Sequence, residues 1–213
     1  MMDKYRQRRA QLVAAEMVEK LRDKGYVTYY AEDLAEAKKI MLSLIPEGAS
    51  VGVGGSETLS AMNMIEELRN GPYHFFDRYQ KLPFCEIEEI YREALNADVF
   101  LSSCNAVTRD GRLVNMDSSG NRVAAISYGP RKVIMAVGAN KVVDNLDEAL
   151  DRIYKIAPLN AMRVKHKAPC VETGKCEGCQ IHASVCNSIG IINHGNKTAG
   201  RFHIIMIAEE VGF

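Results

Sequence analysis

The chain has 213 residues, 47% hydrophobic and 25% charged, and its 27 Lys and Arg balance its 27 Asp and Glu. That is an ordinary soluble globular composition with ample core. A zero net charge argues against nucleic acid or an anionic membrane surface as partner. No apolar run is long enough to span a bilayer.

The N-terminus carries basic residues with no apolar stretch behind them, so it does not read as a secretory signal. The expected compartment is the cytoplasm, where the six cysteines stay reduced and clustered ones serve as ligands rather than disulfides. Residues 3–24 have helical periodicity, with Leu12, Val13, Met17, Val18 and Leu21 on one stripe, Asp3 as cap and Gly25 as stop. A strand is expected over Tyr26–Ala31, then a helix from Asp33 closed by Pro46 and Gly48. Ser50–Gly54 has the composition of a buried strand, followed by one helix to about Arg69 and a short strand over Tyr73–Phe76. A helix through Ile87 and Ile90 to Asn96 leads to a strand over Asp98–Ser102.

Strand and helix thus alternate, which predicts parallel crossovers with helices on both sheet faces. The pattern then changes. Ala106–Asn115 is expected to form a hairpin around Arg109-Asp110-Gly111. A short helix over Asn121–Tyr128, a strand over Lys132–Gly138 and a helix capped by Asp144 or Asn145 and ending near Pro158 follow. The last strand runs from Arg201 to Ala208. One domain, 1–213, is expected, with residues 165–200 as an irregular cysteine-rich loop before that closing strand.

The loop holds Cys170, Cys176, Cys179 and Cys186, spaced C-x5-C-x2-C-x6-C among Gly174, Gly178 and Pro169. One close pair with two flanking cysteines suits a [4Fe–4S] cubane better than paired zinc knuckles, although it departs from the ferredoxin run. Zinc, with His166, His182 or His194 replacing a thiolate, and metal-free thiols remain open.

Two other stretches carry candidate chemistry. Gly54, Gly55, Ser56 and Thr58 form a turn between a strand and a helix, where open α/β sheets place ligands. Bare glycine backbone and two hydroxyls there could hold an anion, and Glu57 could move a proton. The spacing matches neither a dinucleotide nor a Walker fingerprint, and Ser56 as a plain helix cap explains it equally. In the second stretch Asp110 is a candidate base, and Asn105, Asn115 and Asn121 could orient a substrate. The same residue types are what any exposed hairpin uses. The lone cysteines Cys104 and Cys85 are expected in the core rather than as nucleophiles.

Several blocks, in order, resemble the lactate-utilisation (LUD) domain family: Gly54-Gly-Ser-Glu-Thr58-Leu, Asn105-Ala-Val-Thr-Arg-Asp-Gly-Arg-Leu-Val-Asn115, Gly120-Asn-Arg-Val-Ala-Ala, Tyr128-Gly-Pro, Val137-Gly-Ala-Asn-Lys141, Leu146-Asp-Glu-Ala-Leu-Asp-Arg152 and Thr173-Gly-Lys-Cys176-Glu-Gly-Cys179 with Cys186. The resemblance implies an open Rossmann-like α/β sheet similar to ribose-5-phosphate isomerase and the coenzyme A transferases. Some members of that family are subunits of an iron–sulfur, L-lactate-oxidising complex. The resemblance therefore implies an accessory or redox subunit in organic-acid oxidation, with possible redox partner subunits or self-association. The alternatives are a metal-independent enzyme on a small phosphorylated or acyl substrate, or a zinc-stapled binding or regulatory module. The family brings no agreed catalytic residues; it points only to the 54–58 turn and the 105–121 loops as ligand positions.

Overall fold

The computed structural model describes residues 3–213; Met1 and Met2, which begin the stretch read as no secretory signal, lie outside the described residues. In chain order the elements are α1 (Lys4–Asp23), β1 (Val27–Ala31), α2 (Leu34–Ser43), β2 (Ser50–Val53), α3 (Glu57–Ala61), α4 (Met64–Asn70), β3 (His74–Phe75), α5 (Phe84–Glu93), β4 (Val99–Ser102), β5 (Ala106–Thr108), β6 (Leu113–Asp117), α6 (Asn121–Tyr128), β7 (Lys132–Gly138), β8 (Val142–Val143), α7 (Leu146–Arg163), α8 (Pro169–Thr173), β9 (Ser188–Ile192) and β10 (Phe202–Ile207).

Six parallel strands form the main sheet in the order β1-β10-β7-β4-β2-β3. Its central strands are apolar on both faces, as a sheet covered on both sides requires. Along β7, Val133, Met135 and Val137 pack with α1 and α6, while Ile134 and Ala136 pack with α2, α3 and α4. β10 alternates in the same way, with Phe202, Ile204 and Met206 against Ile205 and Ile207. This is the Rossmann-like α/β architecture that the alternation of elements predicts.

A second sheet, β8-β5-β6-β9, grows from the carboxyl edge of the first. The β5–β6 hairpin leaves directly after β4, and β9 returns from the cysteine segment to pair antiparallel with β6. Helix α7 covers this sheet through Ala149 and Ile153 against Ala106, Val114 and Met116. The turns that follow β2 and β4 open on one cleft, which Gly55 and Asn105 line.

Local chemistry explains the element ends. The Asp3 carboxylate accepts from the N–H groups of Tyr5 and Arg6 and caps α1. Gly25 ends that helix at φ +82, where a Cβ would also strike the Asn196 side chain at 1.9 Å. Asn145, not Asp144, caps α7, accepting from Glu148 N at 3.0 Å.

Five expectations are corrected. Leu12 is 55% exposed, and the buried stripe of α1 is Ala10, Ala14, Met17, Val18 and Leu21. The single helix to Arg69 is two, because Asn63 adopts the left-handed conformation at φ 53 between α3 and α4. Helix α7 runs through Pro158 to Arg163: burial of Ala157, Pro158 and Ala161 outweighs the hydrogen bond that proline forfeits. The stretch 165–200 is not wholly irregular, since it contains α8 and β9. Gly190 hid β9 in the sequence, and its bare Cα is needed because a Cβ would meet Val123 at 2.7 Å. Cys85 is exposed on α5, whereas Cys104 is buried as expected. No described helix is long and apolar enough to cross a membrane.

The packing of α1 gives a direct test. Met17 is fully buried and Leu12 is not. Met17→Ala is expected to cost about 2–5 kcal/mol and Leu12→Ala less than about 0.5 kcal/mol. Urea midpoints measure both, and equal losses would mean that α1 docks through a different face.

Candidate functional site

The site begins with the glycine turn after β2. Ser56 acts there as a helix cap, its Oγ accepting from Leu59 N at 3.2 Å. Each glycine lies under an arginine. A Cβ on Gly54 would stand 2.7 Å from Arg122 Cδ, and one on Gly55 would stand 3.3 Å from Arg163 Nη1. The missing side chains thus make room for two guanidinium stems.

Arg122, from the first turn of α6, is buried and engaged through Nε and Nη2. Its Nε donates to Asp117 Oδ1 at 2.8 Å, and its Nη2 donates to Asn105 Oδ1 at 2.7 Å and to the Met116 carbonyl at 2.9 Å. The other Asp117 oxygen accepts from Val123 N at 2.6 Å. Asn105 Oδ1 also accepts from Met116 N, and the Asn105 carbonyl accepts from Arg152 Nη1 at 2.6 Å. These bonds fasten the exit of β4, the end of β6 and the start of α6 into one floor.

Above this floor is a cleft of about 930 Å³, walled by α5, the C-terminal half of α7, the end of β6 and residues 181–187. Arg78, Arg122, Arg163 and Lys167 line it, against the acids Asp117 and Glu88. In a chain with no net charge this is a local concentration of cations. Burial lowers the pKa of Arg163, and nearby Arg122 and Arg78 lower it further, while Tyr79 and Glu57 oppose them. Glu57 Oε1 stands 3.6 Å from Arg163 Nε.

The residues singled out in the sequence are divided by the fold. Gly55, Asn105 and Asn121 line the cleft. Asn115 is buried within the second sheet and Asp110 stands at the hairpin tip; neither lines the cleft. The Asp110 carboxylate accepts from the Thr108 hydroxyl and pairs with Arg112 at 3.1 Å. The neighbouring Gly111 packs on Lys24 at the end of α1. Arg78 and Arg163 went unnoticed in the sequence, because nothing local marks an arginine on a loop or a helix end as facing a turn far away in the chain.

Thr58 belongs to a second, closed cluster. Lys141, 2% exposed, donates from Nζ to Thr58 Oγ1 and Ser103 Oγ, both at 3.0 Å. Among the described residues no carboxylate pairs with it. Burial pushes its pKa down to about 8, against the pull of the Cys104 thiol and with Arg152 and Arg122 adding to the fall. The lysine ties the β2–α3 turn to the exit of β4, and a Cβ on Gly212 would lie 3.2 Å from its Nζ.

All six cysteines have free thiols. Cys170 is buried in the first turn of α8 against Ala161 and Ala168. Cys186 lines the cleft, Cys179 is half-buried and Cys176 is exposed. The Cys186 thiol is pushed up to about 11 by burial, and charge on Cys176, Cys170 and Cys179 adds to the rise. Burial, followed by Cys179, raises Cys170 as well. Among the described residues no three Cys, His, Asp or Glu side chains stand in metal-holding geometry. His166 and His182 line the cleft, whereas His194 does not. The loop is anchored where His166 Nδ1 meets the Ala183 carbonyl at 2.9 Å and Ser118 Oγ donates to the Ser184 carbonyl at 2.9 Å.

The buried lysine makes stability depend on pH. Its folded pKa of about 8 lies below the ordinary 10.5. Holding the charge at neutral pH therefore costs on the order of 3 kcal/mol. The cost is complete below about pH 8 and fades as pH rises toward 10.5. In Lys141→Met it is absent at every pH. The stability of the unmutated protein relative to the variant should therefore rise by up to about 1.4 kcal/mol per pH unit. Denaturant melts of both proteins at pH 7, 8 and 9 measure this, and a constant gap would mean that Lys141 titrates at its ordinary value.

Comparisons with known proteins agree with this picture. A family model described as the LUD domain matches residues 14–207. The structure is similar to the crystal structure of a DUF162 family protein from Deinococcus radiodurans, with a TM-score of 0.50 at 12% identity, over 93% of this chain and 97% of that one. At that identity the likeness shows the fold alone. Among curated proteins no match was found. The chain belongs to the LUD-domain family, and membership implies a role in lactate utilisation.

Proposed function

We propose that this protein is an accessory or redox subunit in the oxidation of a lactate-like organic acid, and that Cys170, Cys176, Cys179 and Cys186 hold an iron–sulfur cluster of the [4Fe–4S] type. One observation carries the reading: the segment ending in Cys186 is a wall of the same cleft that Arg122 and Arg163 line. A redox group on that segment would border the space in which an acid binds.

The donors are of the right kind, but among the described residues no three of them stand in metal-holding geometry, so the segment would have to draw them together on binding. None of the four thiols is tied up in a disulfide, and Gly174 and Gly178 take positive φ in the segment between them, which lets the chain bend tightly there. A bound cluster supplies one-electron transfer, its potential tuned by nearby hydrogen bonds and by solvent exposure. The chain's own side chains do the rest. The cationic lining attracts the carboxylate, and the Arg122–Asp117–Asn105 floor keeps the wall in register. The cytoplasm, where thiols stay reduced, is the compartment in which such a loop keeps its ligands free. A separate redox subunit would take the electrons onward.

Metal and sulfide analysis of protein purified without oxygen tests this. About four irons and four sulfides per chain are expected, with a broad visible band that bleaches on reduction. Cys176→Ser and Cys179→Ser should each lose the iron, whereas Cys85→Ser, on α5, should keep it. A chain with neither iron nor sulfide, or with zinc in their place, would overturn the proposal.

A further inference from the structure

We infer that Arg163, with Arg78 beside it, clamps the oxyanion of an organic ligand whose apolar body lies between Phe84 and Ile181. This rests on the reading of the cleft as the organic-acid site, and it names the side chains and the ligand chemistry.

The cleft's arginines are not equivalent. Arg122 has both Nε and Nη2 held, on Asp117, Asn105 and the Met116 carbonyl, and keeps only Nη1 without a partner among the described residues. Arg163 is held less. Its Nε is shut away from solvent without a hydrogen-bond partner. Glu57 is at 3.6 Å, beyond hydrogen-bond reach, and Nη2 reaches only Asn160 Oδ1 at 3.3 Å. Buried donors are nearly always satisfied, and a guanidinium is a costly one to leave short. Arg78 makes no ion pair among the described residues. Its Nη2 donates to the Tyr91 hydroxyl at 2.7 Å, and the guanidinium lies over the Tyr91 ring at 4.4 Å. That contact fixes its plane and leaves other N–H groups for a ligand. Arg78 and Arg122 disfavour the charge of Arg163, but by less than Tyr79 and Glu57 favour it. An oxyanion in the cleft would meet Arg163 Nη1, which makes no hydrogen bond among the described residues and, unlike Nε, is not shut away from solvent. The planar fork suits a carboxylate or a phosphate ester equally.

Size and lining describe the rest of the ligand. At about 930 Å³ the cleft approaches the upper end of the range for cofactor- or drug-sized ligands, roughly 300–1,000 Å³. A three-carbon acid would leave most of it to water. Phe84 and Ile181 both line the cleft and are 61% and 46% exposed. Apolar surface of that kind favours an occupant with a hydrocarbon or aromatic body.

Calorimetric titration of the intact protein with L-lactate, inorganic phosphate and straight-chain carboxylates from butyrate to octanoate tests the inference. Affinity should rise along the series by about two- to fourfold per methylene. Arg163→Gln should weaken every ligand by about tenfold or more. Arg163→Lys, which keeps the charge but not the fork, should also weaken binding while far-UV circular dichroism stays unchanged. Phe84→Ala should flatten the chain-length dependence and leave lactate unaffected. Phosphate binding tighter than lactate would assign a phosphate-ester head, and the reverse a carboxylate. Iron content of Arg163→Gln should match the unmutated protein, so cluster loss and anion loss are separable. Absence of binding by the whole series, or affinities indifferent to Arg163, would overturn the inference even where iron is present.

Discussion

The buried ion pair between Arg122 and Asp117 is the contact on which the site depends. Its distance is 2.8 Å, and the two side chains are 10% and 8% exposed. A charge so far from water is tolerated only with a full set of partners. Arg122 finds its partners in the hairpin and the β4 exit, and it lies across a turn that must be glycine to admit it. Removing either member would strand the other, so Gly54, Asn105, Asp117 and Arg122 act as one unit. The unit also fixes where the main sheet ends and the smaller one begins. The cleft is the space left above it.

The cleft is built from elements far apart in the chain, and this decides how much of it was legible in the sequence. Strands such as β7, with its run Lys132-Val-Ile-Met-Ala-Val-Gly138, are plain because burial on both faces leaves an unbroken apolar signature. The β5–β6 hairpin was plain as well, since an Asp-Gly turn is local, whereas α6 has no side-chain cap to announce it. The resemblance to the LUD family added what local pattern could not, the identity of the whole fold. Gly54 and Gly55 drew attention for the right turn, but what stands over them is guanidinium rather than open space. That partner comes from α6 and α7, and no window around residue 54 contains it. Arg163 lies beyond a proline that reads as a helix end, so its place at the end of α7 was hidden twice. Lys141 was quoted only as part of a motif, because a buried lysine looks like a surface lysine until the fold surrounds it.

The cysteine segment shows the complementary case. Its spacing marks it strongly in the sequence, whereas its surroundings emerge only from the fold. It leaves the end of α7, bears α8, passes along the cleft and re-enters the second sheet as β9. It is therefore fastened at both ends to the elements that hold the arginines. A change in the state of its thiols has a short mechanical route to the cleft through Ser118, Ser184 and the β6–β9 ladder.

The place of β10 has a consequence for how the protein is made. This strand, formed late in the chain, is hydrogen-bonded between β1 and β7 in the interior of the main sheet. During synthesis on the ribosome β1 and β7 both emerge before β10, which must come between them in the sheet. Two apolar strand edges stay open until residues 202–207 arrive, and such edges invite pairing with other chains. Nascent chains that stall before this point should be unusually dependent on chaperones, whereas a chain in which β10 has emerged can close the sheet.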